Sequence, residues 1–432
     1  MKKSVWEESV TLPMFKSLEG DKKCDVLIIG GGLCGLLCAY FLKNANVNSI
    51  VAEGDTIAGG VTKNTTAKIT SQHGLIYSHI VSTYGKEKAQ MYYKANEEAL
   101  KEYKEMAKNI PCDFEERDAY TYSLKERALI EREVYACHDL GIKCSFEEKC
   151  ELPFEIKGAI KMENQAQFNP LKFIQAICGD LEIYEHTFIK GIENGVAVTD
   201  KGRIFPKVII VATHFPFLNK HGSYFLKLYQ HRSYVSAFEN VPQIDGMYVD
   251  EDMKGMSVRS YDNLLLIGGG GHRTGKTGTA WRETEELAKK YYPLARLKYQ
   301  WAAQDCMSLD KIPYIGNYSK HTPDLYVATG FNKWGMTSSM VSAKMLCDFV
   351  LGRENEYKEL FSPQRSILKP QLFINGFESA FNLLTPATKR CSHLGCALKW
   401  NKYEHSWDCA CHGSRFSEEG EVINNPAMKN ID

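Results

Sequence analysis

The stretch Val26–Leu42, VLIIGGGLCGLLCAYFL, limits what this chain can fold into more than any other. It is seventeen nearly uninterrupted apolar residues that carry Gly30, Gly32 and Gly35 as GxGxxG. Its length approaches the lower limit of a membrane span. The glycine spacing argues instead for a buried strand, a tight turn and a buried helix, so no membrane insertion is expected. A second short strand, SIVAE, ends in Glu53, eighteen residues past Gly35, and completes a βαβ unit. In such a unit the first glycine permits the turn and the second lets the backbone approach a pyrophosphate at the helix N-terminus. The third lets helix and strand pack closely, and the acid accepts from ribose hydroxyls.

At 432 residues the chain is long enough for two or three domains, each with its own core. Lys+Arg and Asp+Glu are both 53, so no global field draws the chain to nucleic acid or an anionic membrane. Fourteen cysteines are scattered without the framework of a small secreted domain, and the N-terminus, MKKSVWEESVTLPMF, lacks a signal-type apolar core. The expected location is cytoplasmic.

Further strand signals fall at AIKMEN, EIYEH, GVAVTD, KVIIVAT, RSYVSAF, NLLLIGG and DLYVATG. Helical periodicity marks ANEEALKEYKEMAKN, WRETEELAKKYY and SSMVSAKMLCDFVLG. Between Arg353 and Arg390 the prolines Pro363, Pro370 and Pro386 suggest a connector with one short helix near FINGFESAF.

Beyond it, four ligand-type residues form two pairs. Cys391 and His393 make CxH, Cys409 and His412 make CxxH, and fifteen residues lie between the pairs. Two cysteines and two histidines at these spacings suit a tetrahedral zinc site or a mixed-ligand iron–sulfur cluster. The flanking sequences, CSHLGC and CACHGSRF, resemble the two loops of Rieske [2Fe-2S] proteins, and the extra cysteine pair and HGS are features a zinc knuckle does not require. The resemblance implies a cluster held by Cys391, His393, Cys409 and His412, a Cys396–Cys411 disulfide tying the loops, and a Ser414 hydroxyl on a bridging sulfide. Phe416 stands where the highest-potential members carry a tyrosine, so a lower potential is expected. The usual strands before Cys391 are missing, so the larger domain is expected to supply part of the support.

The dinucleotide motif is similarly placed by remote segments. GDTIAGGVTKNTTAK, KVIIVAT, QWAAQDCMSLDKIPYIG and VATGFNKWGM follow the order of the FAD-dependent D-amino-acid oxidase and glycine oxidase superfamily, which Asp25–Gly352 resembles. The resemblance implies that Gly30, Gly32, Gly35 and Glu53 hold the ADP half of FAD. Gly59, Gly60 and Thr66 would lie along the pyrophosphate and flavin, and Gly330, Gly335 and Met336 would approach the isoalloxazine. The expected fold is α/β: a Rossmann-like FAD-binding domain with an interleaved α+β substrate domain, plus a small β-rich module. Residues 1–352 form the oxidoreductase domain, with FAD-binding pieces about 24–80, 181–215 and 320–352 and a substrate subdomain about 84–180 and 216–316. A linker covers 353–385 and the cluster module 386–432.

Flavin enzymes leave the hard chemistry to the cofactor, and the protein orients the donor. The segments that the resemblance puts near the ring offer Lys68, His73, Arg259, His272, Arg273, Lys333 and Trp334, of which Lys68, His73, Arg259, His272 and Lys333 are the catalytic candidates. Asp305 replaces an arginine of many relatives, which favours a cationic amine. Cys306 is out of register with the position where some relatives attach flavin, so dissociable FAD is expected. Gly270–Thr277, GGHRTGKT, matches a P-loop literally, but no metal-binding acid completes an ATPase.

The expected activity is therefore FAD-dependent oxidation of a small amine or amino-acid-like substrate. Electrons would pass to the cluster and on to an unidentified acceptor. The alternatives are a relay between external carriers with no substrate of its own, and a redox sensor built on the cysteines.

Overall fold

The computed structural model describes residues 3–219 and 221–432. At its centre the strand Lys22–Ile29 runs parallel to Ser49–Ala52 on one side and Arg203–Val211 on the other. Glu182–Tyr184 and Leu325–Thr329 extend this parallel core outward. Its strands carry continuous apolar runs because both faces are covered. One cover is the helix Leu33–Asn44, which packs on the helix Gly335–Val350. The small buried residues Ser338, Ser339, Ser342 and Ala343 allow that close approach.

A second, nine-stranded sheet lies beside the first. Its main path runs Arg296–Ser308, Leu228–Glu239, Leu264–Arg273, Ser257–Tyr261, Met247–Asp250, Glu115–Ser123, Gly158–Gln167 and Lys68–Ile69. The charged helix expected near Ala95 spans Lys86–Ala107 and buries Tyr92, Ala99, Tyr103 and Met106 along one stripe.

Four short strands, Leu398–Asn401, Ser406–Cys409, Arg415–Phe416 and Val422–Asn424, make the C-terminal sheet. The connector differs from expectation, since it carries helices at Lys358–Phe361 and Pro370–Leu384. Pro370 occupies the first turn of the longer helix, where its missing N–H costs nothing, and Pro386 lies past its end. Arg365 ties the connector down through two 2.7 Å contacts to buried Asp310. Among the described residues no helix is long and apolar enough to cross a membrane.

Candidate functional site

A cavity of about 1660 Å³ opens between the two large sheets. Gly30, Gly32, Leu33, Cys34 and Glu53 line one end, with Gly59, Gly60 and Thr66 beyond them. Gly330 and, at the start of the helix Gly335–Val350, Gly335 and Met336 line another wall. The backbone at Gly30 has φ +112, and a Cβ there would stand 2.6 Å from the Ala212 carbonyl oxygen. At Gly35 a Cβ would meet the Gly30 oxygen at 2.0 Å, so this glycine packs helix on strand and does not line the cavity. Glu53 accepts from the Gly31 N–H at 2.6 Å and the Asp55 N–H at 2.9 Å, which fixes its carboxylate at the mouth of the turn.

The C-terminal sheet brings the two ligand loops together. The Cys391 and Cys409 thiols are within hydrogen-bonding reach of each other, and the Ser414 hydroxyl reaches Cys391. His393 and His412 stand perpendicular, ring centroids 5.0 Å apart. Cys396 and Cys411 are joined in a disulfide beside them. Burial holds both imidazoles neutral, pushing His393 down to about 4 and His412 to about 3. The His393 Nε2 lies 3.0 Å from the Asn219 Oδ1, while its Nδ1 is buried with no hydrogen-bond partner among the described residues. A neutral imidazole with one nitrogen bonded outward and the other left open has the form of a metal ligand.

The loops face the large domain. Phe215 meets both imidazoles edge-on, at 6.5 Å to His393 and 6.3 Å to His412. Gln230 donates to the His412 and Asn425 carbonyls at 2.9 and 2.8 Å, and Gln304 donates to the Gly413 carbonyl at 2.9 Å. Arg273 donates to the Ala410 and Cys411 carbonyls, both at 2.9 Å. Deeper in the joint, Glu404 pairs with Arg232 and Arg415 and accepts from the Tyr234 hydroxyl at 2.9 Å. Thus the large domain supplies the support that the short module lacks.

The FAD dependent oxidoreductase family matches residues 25–349, three quarters of the chain. The chain belongs to this family. The Rieske [2Fe-2S] domain matches residues 382–432 of this oxidoreductase. A Bacillus subtilis (strain 168) protein, named as a putative Rieske 2Fe-2S iron-sulfur protein, YhfW, is 34% identical over 98% of this chain and 96% of its own length. Locally, the chloroplastic cytochrome b6-f iron-sulfur subunit of Fritillaria agrestis is 49% identical over 37 residues, 9% of this chain and 16% of that one. The fold is shared with L-proline dehydrogenase from P. horikoshii, at TM-score 0.68 and 17% identity over 80% of this chain and 98% of that one. Glycine oxidase from Geobacillus kaustophilus gives TM-score 0.67 and 18% identity over 80% and 99%.

The oxidoreductase therefore takes FAD and a [2Fe-2S] cluster, and the residues present fit both. The open glycine turn meets a cavity large enough for a dinucleotide, and the four cluster-type residues converge with an unpartnered His393 nitrogen among them. The parts played by individual residues are taken up below as a proposal.

Of the other expected residues, Lys68, His73, Lys333 and Trp334 line the cavity. Burial and the neighbouring Arg259 push the Lys68 ammonium down to about 7. His73 bonds the Tyr92 hydroxyl at 2.6 Å and the Thr70 carbonyl at 2.8 Å, and stacks on Trp334 at 4.8 Å. Burial lowers it to about 3, so it is a neutral wall residue. Burial also lowers Lys333, against the pull of Asp305. Asp305 itself is raised to about 6 by burial, with Lys333 and Arg232 opposing.

Two of the expected catalytic residues are not on the cavity wall. Gly271 lines the cavity, so His272, next along the strand, turns to the other face and stacks on Tyr234 at 5.7 Å. Arg259 is fully buried, and its guanidinium nitrogens have no hydrogen-bond partner among the described residues. Trp6 lies 5.4 Å away and donates to the Thr65 carbonyl, closing Arg259 off.

The P-loop match has a different use. Gly275 has φ +77, and a Cβ there would stand 2.4 Å from the Ala410 nitrogen. Arg273 holds the cluster loop, and Lys276 pairs with Glu378 at 2.6 Å. This turn is the seat of the Rieske module. Sequence reasoning missed Phe215, Gln230, Arg232, Gln304 and Glu404, because neutral or ordinary surface residue types on distant strands and loops carry no motif.

Proposed function

We propose that this oxidoreductase removes two electrons from a small amine or amino-acid-like donor at FAD and hands them singly to its own Rieske cluster. One observation carries the reading: Thr213, His214 and Phe217 line the flavin cavity, while Phe215 between them touches both ligand imidazoles. On this reading a single turn of chain would separate the two centres. When bound, FAD supplies hydride acceptance and the cluster supplies one-electron transfer.

The chain's own residues would do the rest. Gly30, Gly32, Glu53, Gly59, Gly60 and Thr66 would seat the nucleotide, with Gly35 holding the helix against the strand behind them, and Gly330, Gly335 and Met336 would border the ring. Cys391, Cys409, His393 and His412 would hold the cluster. Asp305, opposite Lys333 on the cavity wall, gives a cationic amine a carboxylate to face. Lys68, held near neutrality, is suited to exchange a proton with the donor nitrogen. The names of the structural neighbours, proline dehydrogenase, glycine oxidase and amino acid deaminase, support an amine donor.

Anaerobic stopped-flow mixing with a panel of amines and amino acids tests the proposal. Flavin bleaching should precede cluster bleaching, and the reduced cluster should give the low average g value of histidine ligation. If no donor bleaches the flavin while an external carrier reduces the cluster, the chain is a relay and the proposal fails.

A further inference from the structure

The helix Pro370–Leu384 is inside out. Its polar side chains point inward: Asn375 and Asn382 are 3% and 0% exposed, and Glu378 pairs with Lys276. Asn375 accepts from Arg273 at 2.9 Å, and the Asn382 carbonyl accepts from the Ala397 N–H at 2.9 Å, so this face is tied to the large domain and to the Rieske module. The outward face carries Phe373, Ile374, Phe377, Phe381, Leu383 and Leu384, exposed by 70, 52, 71, 52, 44 and 84%. Gly376 and Ala380 fill the gaps between them, and Leu368 just before the helix is 75% exposed.

An aromatic side chain can bury roughly 150–250 Å², so the three phenylalanines alone leave on the order of 400 Å² in water. With the leucines and isoleucine, the patch exceeds the ~300–600 Å² of the largest apolar patch on an ordinary soluble monomer. Something must cover it.

We infer that this helix lies in the plane of an anionic lipid surface and docks the oxidoreductase on it. The charges at its ends choose this occupant. Lys369 precedes the helix with its ammonium over the Tyr84 ring, and Lys311 is its neighbour beside His79. Past the other end, Arg390 spends its guanidinium on the carbonyls of Leu383, Thr385 and Gly395, which leave its charge uncancelled. Two copies paired along this helix would set Lys369 against Arg390 if antiparallel, and like residues together if parallel. Both arrangements are repulsive.

A protein partner would ordinarily meet about one hydrogen bond per 100–200 Å², and the outward face offers no side-chain donor or acceptor. A bilayer interface asks for neither, since the apolar face sinks ~5–10 Å among the headgroups and the flanking cations meet lipid phosphates. The zero net charge of the whole chain does not oppose this, because screening confines the attraction to the cations nearest the surface.

The holoprotein is floated with vesicles of phosphatidylcholine containing phosphatidylglycerol, and with phosphatidylcholine alone. Flotation is expected on the anionic vesicles and should weaken with added salt. The double variant Phe373→Ser, Phe377→Ser should lose at least about tenfold in partitioning. Lys369→Gln should lose about fivefold. Flavin and cluster absorbance should be unchanged in the phenylalanine variant, whose substituted side chains face out. Failure to float on anionic vesicles overturns the inference. So does a lipid-free dimer, seen by sedimentation velocity, that the phenylalanine variant turns into a monomer, since the occupant would then be a second copy.

Discussion

Glu404 of the Rieske module and Arg232 of the large domain form an ion pair with side chains only 11% and 5% exposed. Burial alone would raise the Glu404 carboxyl, but Arg232 and Arg415 hold it down to about 2, against an ordinary 4.5. A carboxyl depressed in the folded state contributes stability that is present above its ordinary pKa and lost as pH falls toward the folded one. The joint should therefore weaken between pH 4.5 and about 2. Glu404→Gln leaves the buried Arg232 without its carboxylate partner and should cost about 3–5 kcal/mol at neutral pH. Thermal unfolding of the two proteins across this range checks it: the difference in Tm should shrink as pH falls.

The Gly275 contact with Ala410 makes a second prediction. Gly413 has φ +85, and a Cβ there would stand 2.4 Å from the Gln230 Cβ, so the domains meet glycine to backbone at one point and glycine to side chain at the other. Gly275→Val should lift the module off its seat with the cluster intact. Flavin reduction by donor should keep its rate, while cluster reduction slows by at least about tenfold, about 1.4 kcal/mol of barrier. Equal slowing of both phases would place the defect in the flavin domain instead.

Asn219 and His393 give a third. An acceptor on the outer nitrogen raises the basicity of a ligating imidazole, which favours the oxidised cluster. Asn219→Ala removes the 3.0 Å contact and should raise the cluster potential. A neutral hydrogen bond worth ~0.5–1.5 kcal/mol corresponds to roughly 20–65 mV for one electron. Protein-film voltammetry reads the shift, and an unchanged potential would show that Asn219 only positions the loop.

Local chemistry made some of this legible in sequence. The GxGxxG turn, the strands on either side of it and the paired CxH and CxxH each carry their meaning within a few residues, because the constraint is a backbone conformation or a ligand atom. The joint between domains was opaque for the opposite reason. Gln230 and Gln304 act through backbone carbonyls nearly two hundred and over one hundred residues away, and any donor of the right length would serve. His272 was misplaced because period-two alternation fixes its face only once Gly271 is known to line the cavity. The helix Pro370–Leu384 misled most. Its periodicity suggests only a short connector helix, whereas its apolar stripe faces solvent and its asparagine side chains face the protein.

Cys306 bears on how flavin would be held. It lines the cavity, but burial pushes its thiol up to about 12, and its sulfur lies 3.6 Å from the Thr329 hydroxyl. Covalent attachment needs a thiolate, and burial disfavours that form of this sulfur. FAD should accordingly dissociate: acid precipitation should leave all the yellow colour in the supernatant, and Cys306→Ser should not change flavin content. Gly30→Ala should instead lose FAD, because its Cβ meets the Ala212 carbonyl at 2.6 Å in a backbone conformation that L residues rarely adopt. Flavin that stays with the protein pellet in the wild type and leaves it in Cys306→Ser would reverse the assignment and make Cys306 the point of attachment.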